Sequence, residues 1–430
     1  MSAVVDFPVK PEARPYIDAF ADDGREPRWL RDARQQGLDR FARQGFPSRR
    51  SENWRYLDLQ PLEKQPMLPV TPGVLTDIPS ELGFDGSWVQ LKLVDGNVVL
   101  GFVPHVPLGI WVGSTKQALL ERPDLVRTIS VGDKDRPFAA LNAAFFTDGL
   151  VIDIAPGAAL DRPIEIIHYA SKTGSSHTRS LINLGAGSRV TVIETYAGSG
   201  KYWRNDVATW RLGEGASLTR IALLEESADA VHLGVIAATL GAKAKLDGFL
   251  LLLGGGTVRH EANITIAGDK AECRYDGAFV VAGREEANIV TTIDHAAVGG
   301  TTSELIKGVA SGRGHGAFQG KIIVREGAQQ TDAKQTSRNL ILGRRASIDT
   351  KPELEILADD VKCAHGASVG DLDEAALFYL RARGIPTEEA RRLLVEGFLR
   401  EPIEGIADAA IREHLLGRLG ARLTRLEDWA

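Results

Sequence analysis

Apolar positions in the first 65 residues recur at a helical period. Trp29, Leu30, Ala33, Leu38, Phe41 and Ala42 share one side of a helix that Gly45-Phe46-Pro47 stops, so the pattern predicts one or two surface helices over residues 1–65. Residues 66–87 break elements with repeated proline and glycine (LPVTPG, then IPSELGFDG) and read as a connector. Trp88 to Val94 and Asn97 to Val103 are β-rich runs on either side of Asp95-Gly96, a two-residue hairpin signal, so β structure is expected to start within 66–149.

From about 150 to 370 the pattern becomes short runs of Val, Ile, Leu, Thr and Ala broken by glycine, with almost no helical period. A loose motif, Gly-x-x-(Ala/Ser)-x-apolar, recurs at Gly185, Gly213, Gly241, Gly268, Gly300 and Gly343, and a related APGAAL begins at Ala155. The early spacings run 30, 28, 28, 27 and 32 residues, and the last, 43, has to contain an unmatched unit. A small-residue corner followed by a β run is what a solenoid requires, because each coil stacks its apolar face on the next. The fold class is therefore mainly β, a right-handed parallel β-helix core flanked by N-terminal and C-terminal helical regions. A β-sandwich, with strands about every 8–12 residues, gives no reason for a repeat near 28.

At about residue 371 helical patterning returns and continues to 430. Asp371 or Asp373 can cap a helix that runs to about Arg383 and ends at Gly384, with Leu372, Ala376, Leu377 and Leu380 on one face. Pro386-Thr387-Glu388-Glu389 opens a second, whose buried stripe is expected at Ala390, Leu393, Leu394 and Phe398. A third is expected over about Ile403 to Leu419.

Composition narrows the function. A net charge of −6, with no run of Lys and Arg interleaved with aromatics, gives nucleic-acid binding little support. Apolar runs such as Phe249 to Leu253 fall far short of the roughly 20 residues that span a bilayer. The start, MSAVVDFPVKPEA, lacks the basic and apolar regions of a secretory signal, so a cytoplasmic location is expected. Two cysteines, Cys273 and Cys363, are too few for a disulfide framework or a four-thiolate cage.

Catalytic motifs are thin. There is no GxxxxGK(S/T), GxSxG or HExxH, and Gly254-Gly255-Gly256 has no following helix with which to cradle phosphate. Asp294-His295 and Asp359-Asp360 read as solvated turn pairs, and Cys273, at the apolar place of its repeat, as core. The densest constellation lies at 358–380, where Cys363 and His365 are two apart and so share one face of a strand. A thiol and an imidazole there can bind soft metal or sulfur, or can simply pack.

DTKPELEILADDVKCAHGASVGDLDEAALFYLRARGI (349–385) closely resembles the signature of the SufB/SufD family of iron–sulfur cluster assembly scaffolds, and within it the SufD branch. TTSELIKGV (301–309), GRGHGAFQGKIIV (312–324), AQQTDAKQTSRNLIL (328–342) and GFPSRRSENWRYLDL (45–59) extend the likeness over both ends and most of the middle.

The resemblance implies a non-enzymatic subunit that pairs with SufB through its β-helix and binds SufC, an ABC-type ATPase, through its C-terminal helices. ATP would be bound by SufC, no cofactor would be held tightly by this chain, and a transient cluster would form at the SufB interface. His365 matches the interface histidine of that branch, with Cys363 beside it. Any metal at His365 would be shared with the partner chain, and the cysteine that receives sulfur belongs to SufB. Phe378, Tyr379 and Arg383 are the candidate SufC contacts. A homodimer is the alternative assembly for the isolated chain. The SufB paralogue is disfavoured by the low cysteine count and the opening motif, and a β-helix carbohydrate-active enzyme by the lack of an acidic ladder across coils. A left-handed hexapeptide acyltransferase lacks its six-residue period, while a purely structural interaction protein shares nearly every feature seen.

Overall fold

In the computed structural model, which describes residues 8–71, 78–99, 106–129 and 136–426, the repeat is a stack of coils. From β4 (Leu150–Ile154) to β19 (Lys362–Gly370), strands alternate between two parallel sheets, so each coil gives one strand to each sheet. The result is a β-solenoid of about eight turns with helices before and after it.

One corner explains the sequence repeat. Gly187, Gly215, Lys243, Lys270, Gly299 and Gln330 occupy equivalent places in successive turns, each with a positive φ between 56° and 68°. The N–H of each donates to a carbonyl of the next turn, as in Gly187 to Glu214 at 2.7 Å and Gln330 to Asp360 at 2.6 Å. The conformational demand thus falls on the third motif position. The first glycine serves close stacking instead, since a Cβ at Gly268 would stand 2.0 Å from the Ala242 nitrogen.

Two motif matches are out of step. Thr301 pairs with Glu272, so Gly300 stands opposite Ala271 and not Gly268. Gly343 lies at the opposite corner, between β17 (Asp332–Leu342) and β18 (Ser347–Ile356). The unmatched unit is Arg325–Thr331, before β17, where Gln330 adopts the left-handed conformation without a glycine.

Helices cover both outer faces, so many strands are apolar on both sides. Before the solenoid come α1 (Arg14–Ala19), α2 (Arg28–Gln44), α3 (Gln60–Lys64), α4 (Thr115–Glu121), α5 (Pro123–Ile129) and α6 (Pro137–Phe145). On the even-strand sheet, Tyr16, Phe41, Phe46 and Phe138 pack around Trp203 with ring centroids 5.1–6.4 Å apart. After the solenoid come α7 (Glu374–Ala382), α8 (Thr387–Glu404) and α9 (Ala409–Thr424). On the odd-strand sheet, Val395, Leu399 and Ile403 of α8 and Ile411, Leu415 and Leu419 of α9 join one buried cluster with Ile221, Phe249, Leu251 and Val280.

The C-terminal helices correct two expectations. Leu393 is 40% exposed, and the buried stripe is Ala390, Val395, Leu399 and Ile403, because it is the second half of α8 that lies on the sheet. The third helix starts at Ala409, where Asp408 accepts from the amides of Ala410 and Ile411, and Ile403 belongs to α8. Pro402 sits inside α8, where it cannot bond the Phe398 carbonyl. The buried Lys307 ammonium, 2.9 Å from that oxygen, donates in its place.

The two solenoid ends differ. At the first, β1 (Val89–Val94) pairs with β5 (Ile164–Ala170), and β2 (Asn97–Val99) folds back on β1 through Asp95 and Gly96, with φ of 49° and 80° as a type I′ turn needs. β3 (Ile110–Ser114) lies antiparallel on β4. At the other end β18 and β19 have no further strand beyond them among the described residues, and most of β19 is exposed. Residues 100–103 of the expected hairpin, residues 72–77 of the connector and residues 1–7 of the chain start lie outside the described residues. No helix among the described residues is long and apolar enough to cross a membrane.

Candidate functional site

Strand alternation decides which side chains reach the open end. Cys363 pairs with Ala333 and His365 with Gln335. Ala333 and Gln335 are buried, so Cys363 and His365 stand on the interior side of the last coil. The structure thus brings the two together on one face, and they differ in setting. Cys363 is half-buried against Ile322, Val324, Ala328 and Ala333, whereas His365 is exposed. Burial pushes the Cys363 thiol up, against a hydrogen bond with the Ala333 backbone, which disfavours the thiolate. Cys273 lies fully in the core, with its thiol raised by burial.

His365 ends a column of interior positions. Arg220, Gly248 and Tyr275 are successive partners, as are Glu304, Gln335 and His365, and the pairs on either side keep Tyr275 in step with Glu304. Here polar groups replace the aliphatic filling found elsewhere. Gln335 Nε2 donates to Glu304 Oε2 at 2.6 Å, and Tyr275 Oη lies 2.8 Å from His260 Nε2. Arg220 Nε donates to Glu194 Oε2 at 2.6 Å. Burial lifts Glu304 to about 7, opposed by the hydrogen bond from Gln335. A groove of about 320 Å³ runs along the last two strands of this sheet and includes Gln335, Arg338 and His365 in its lining.

Among the described residues no three His, Cys, Asp or Glu side chains are grouped to hold a metal ion. The open end therefore offers His365 and, less readily, Cys363.

The other candidates lie on α7. Asp373 caps it, accepting from the Ala375 and Ala376 amides at 2.9 and 3.2 Å. Leu377 is its buried contact, while Phe378 is 71% and Tyr379 57% exposed. The Arg383 guanidinium lies 4.9 Å from the Tyr379 ring centre, so these two form one unit, with Phe378 next to Tyr379 in the chain.

The profile of a family described as SUF system FeS cluster assembly, SufBD core domain, matches residues 167–398, more than half of the chain. The chain belongs to the SufBD family. This SufBD chain is 28% identical over 399 residues to the iron–sulfur cluster assembly protein SufD of Escherichia coli, covering 90% of this chain and 92% of that protein. The SufD protein of Bacillus subtilis is 27% identical over 416 residues, covering 91% and 94%. An iron–sulfur cluster assembly SufBD family protein of Synechocystis is 28% identical over 412 residues, covering 91% of each.

Sequence reading of the SufBD chain missed Glu304 and Gln335 as a pair behind His365, although both fall in segments that carry the family likeness. It also misplaced His295, which is no solvated turn residue. Strand alternation turns it inward, where its Nε2 lies 2.8 Å from Thr302 Oγ1 and burial depresses its pKa to about 4. Asp359 and Asp360 do sit exposed in a turn. The opening motif straps the even-strand sheet. Trp54 covers Arg259 at 4.2 Å, and Glu52 reaches Lys351 at 2.5 Å. A cavity of about 390 Å³ under this strap contains Arg136 and Arg259, both bonded to Glu261, so its lining holds two guanidinium groups against one carboxylate.

Proposed function

We propose that this chain acts as SufD: a non-enzymatic, cytoplasmic scaffold subunit that pairs with SufB through the bare end of the solenoid and with SufC through α7. The carrying observation is the end itself, where two strands of nine and ten residues lie with no further strand beside them among the described residues. Long, unprotected edges are rare in soluble proteins unless a partner covers them. His365 on the last strand would face the partner and supply one ligand or relay group to a cluster in transit, the remaining ligands and the sulfur-accepting cysteine coming from SufB. Exposed Phe378 and Tyr379, with Arg383 stacked on the latter, have the character of interface anchors. In this reading ATP stays on SufC, the cluster is cargo, and the isolated chain can form a homodimer through the same end.

Co-expression with SufB and SufC, followed by affinity purification of this chain, should recover all three. Recovery of this chain alone would overturn the assignment. His365→Ala should leave that complex intact and lower cluster assembly in cells at least tenfold, and normal assembly by the variant would remove the role given to His365.

A further inference from the structure

Gln335 is fully buried, yet its carbonyl oxygen Oε1 has no hydrogen-bond partner. Which way the amide faces follows the charge on Glu304. In its ionised form, which prevails above about pH 7, the Glu304 carboxylate can only accept, so Nε2 faces it, at 2.6 Å, and Oε1 is left as the unsatisfied end. The opposite sheet makes room for this pose. A Cβ at Gly320 would stand 2.2 Å from Gln335 Nε2, so any side chain there would displace the amide.

The next side chain in the column is that of His365, one strand spacing of about 4.8 Å beyond, on the same face and in the same groove. An orphaned buried acceptor costs about 1–3 kcal/mol, and an imidazole N–H is a suitable donor to it. We propose that Gln335, held in turn by Glu304, is a positioning residue for His365. Its Oε1 accepts one ring N–H once a partner covers the open end, fixing the tautomer whose other nitrogen presents its lone pair outward. Histidine ligands are commonly oriented and made more basic by such a second bond. The inference rests on the reading of His365 given above and adds the two residues that set its orientation.

The test uses the full chain co-purified with SufB and SufC, loaded with a paramagnetic cluster and examined by pulsed EPR. The remote ring nitrogen of a histidine ligand reports hydrogen bonding at its own N–H. In the wild-type complex a histidine nitrogen coupling lost in His365→Ala is expected. Gln335→Met, of similar volume, should keep that coupling but change its remote-nitrogen component, and should lower cluster formation about tenfold. The same substitution in the His365→Ala background should cause no further loss. An unchanged remote nitrogen in Gln335→Met, or an added loss in the double variant, overturns the positioning role while leaving His365 as a ligand. Absence of any histidine coupling in the wild-type complex overturns both. Should Gln335→Met fail to fold, Glu304→Gln, which frees the amide to turn, must shift the same component, and a wild-type spectrum from it counts against the proposal.

Discussion

In the inner coils two buried carboxylates, Glu194 and Glu226, have cations beside them. Arg220 donates to Glu194, and Arg204 Nε donates to Glu226 Oε1 at 2.8 Å. His168 and His232 add further bonds to the same two acids at 3.4 and 2.8 Å. Near the open end the arrangement is different. Glu304 is as deeply buried but is bonded to an amide, and beyond it stand only Gln335 and the exposed His365. The pKa values follow this contrast, since the adjacent guanidinium and imidazole hold Glu194 and Glu226 below the ordinary carboxylate range against the opposing effect of burial, while burial, with a smaller push from Asp276, lifts Glu304. Glu194 and Glu226 thus have their charge compensated inside the coil. Glu304 and Gln335, buried near the end where a second molecule is proposed to dock, each keep an unpartnered oxygen.

Four changes break or sharpen this contrast. Arg220→Met leaves Glu194 buried without its guanidinium and should cost about 3–5 kcal/mol in urea unfolding, much of it regained when Glu194→Leu is added. The effect of Glu304→Gln is smaller and depends on pH. A carboxyl whose folded pKa is raised contributes fully below its unfolded value, near 4.5, and that contribution is lost as pH rises through about 7. The wild type should therefore lose stability relative to Glu304→Gln between pH 5 and 8, on the order of a few kcal/mol, as read from denaturation midpoints. If the two curves stay parallel, Glu304 is not the uncompensated group described. Smallest in stability is Val369→Lys on the exposed last strand, expected within about 0.5 kcal/mol of wild type. Its effect should appear in binding instead, as loss of SufB with SufC retained on the column, and Phe378→Ala should do the reverse.

The solenoid was legible because its corners repeat a small-residue pattern at a nearly constant interval and its strands carry no helical period. Cys363 and His365 were legible as a pair because strand alternation relates i and i+2 within one strand. Glu304 and Gln335 were not, because they meet His365 across coils. Tyr275, Glu304, Gln335 and His365 are separated by 29, 31 and 30 residues, so no fixed offset finds the column until the register is known. Leu393 was misread for a related reason: helical periodicity gives the apolar stripe but not which half of α8 meets the sheet. Ile403 was misplaced in the third helix because α8 runs on through Pro402, where Lys307, about a hundred positions away, bonds the carbonyl the proline leaves free.

The stacked corner also acts as a ruler. Each left-handed residue bonds the turn after it, so adding or removing one whole coil would move His365 along the axis by about 4.8 Å while leaving every remaining turn chemically unchanged. Reach between the helix-clad body and the bare end of the solenoid can therefore be altered only in discrete steps of one coil, each carrying its own sealed segment of backbone.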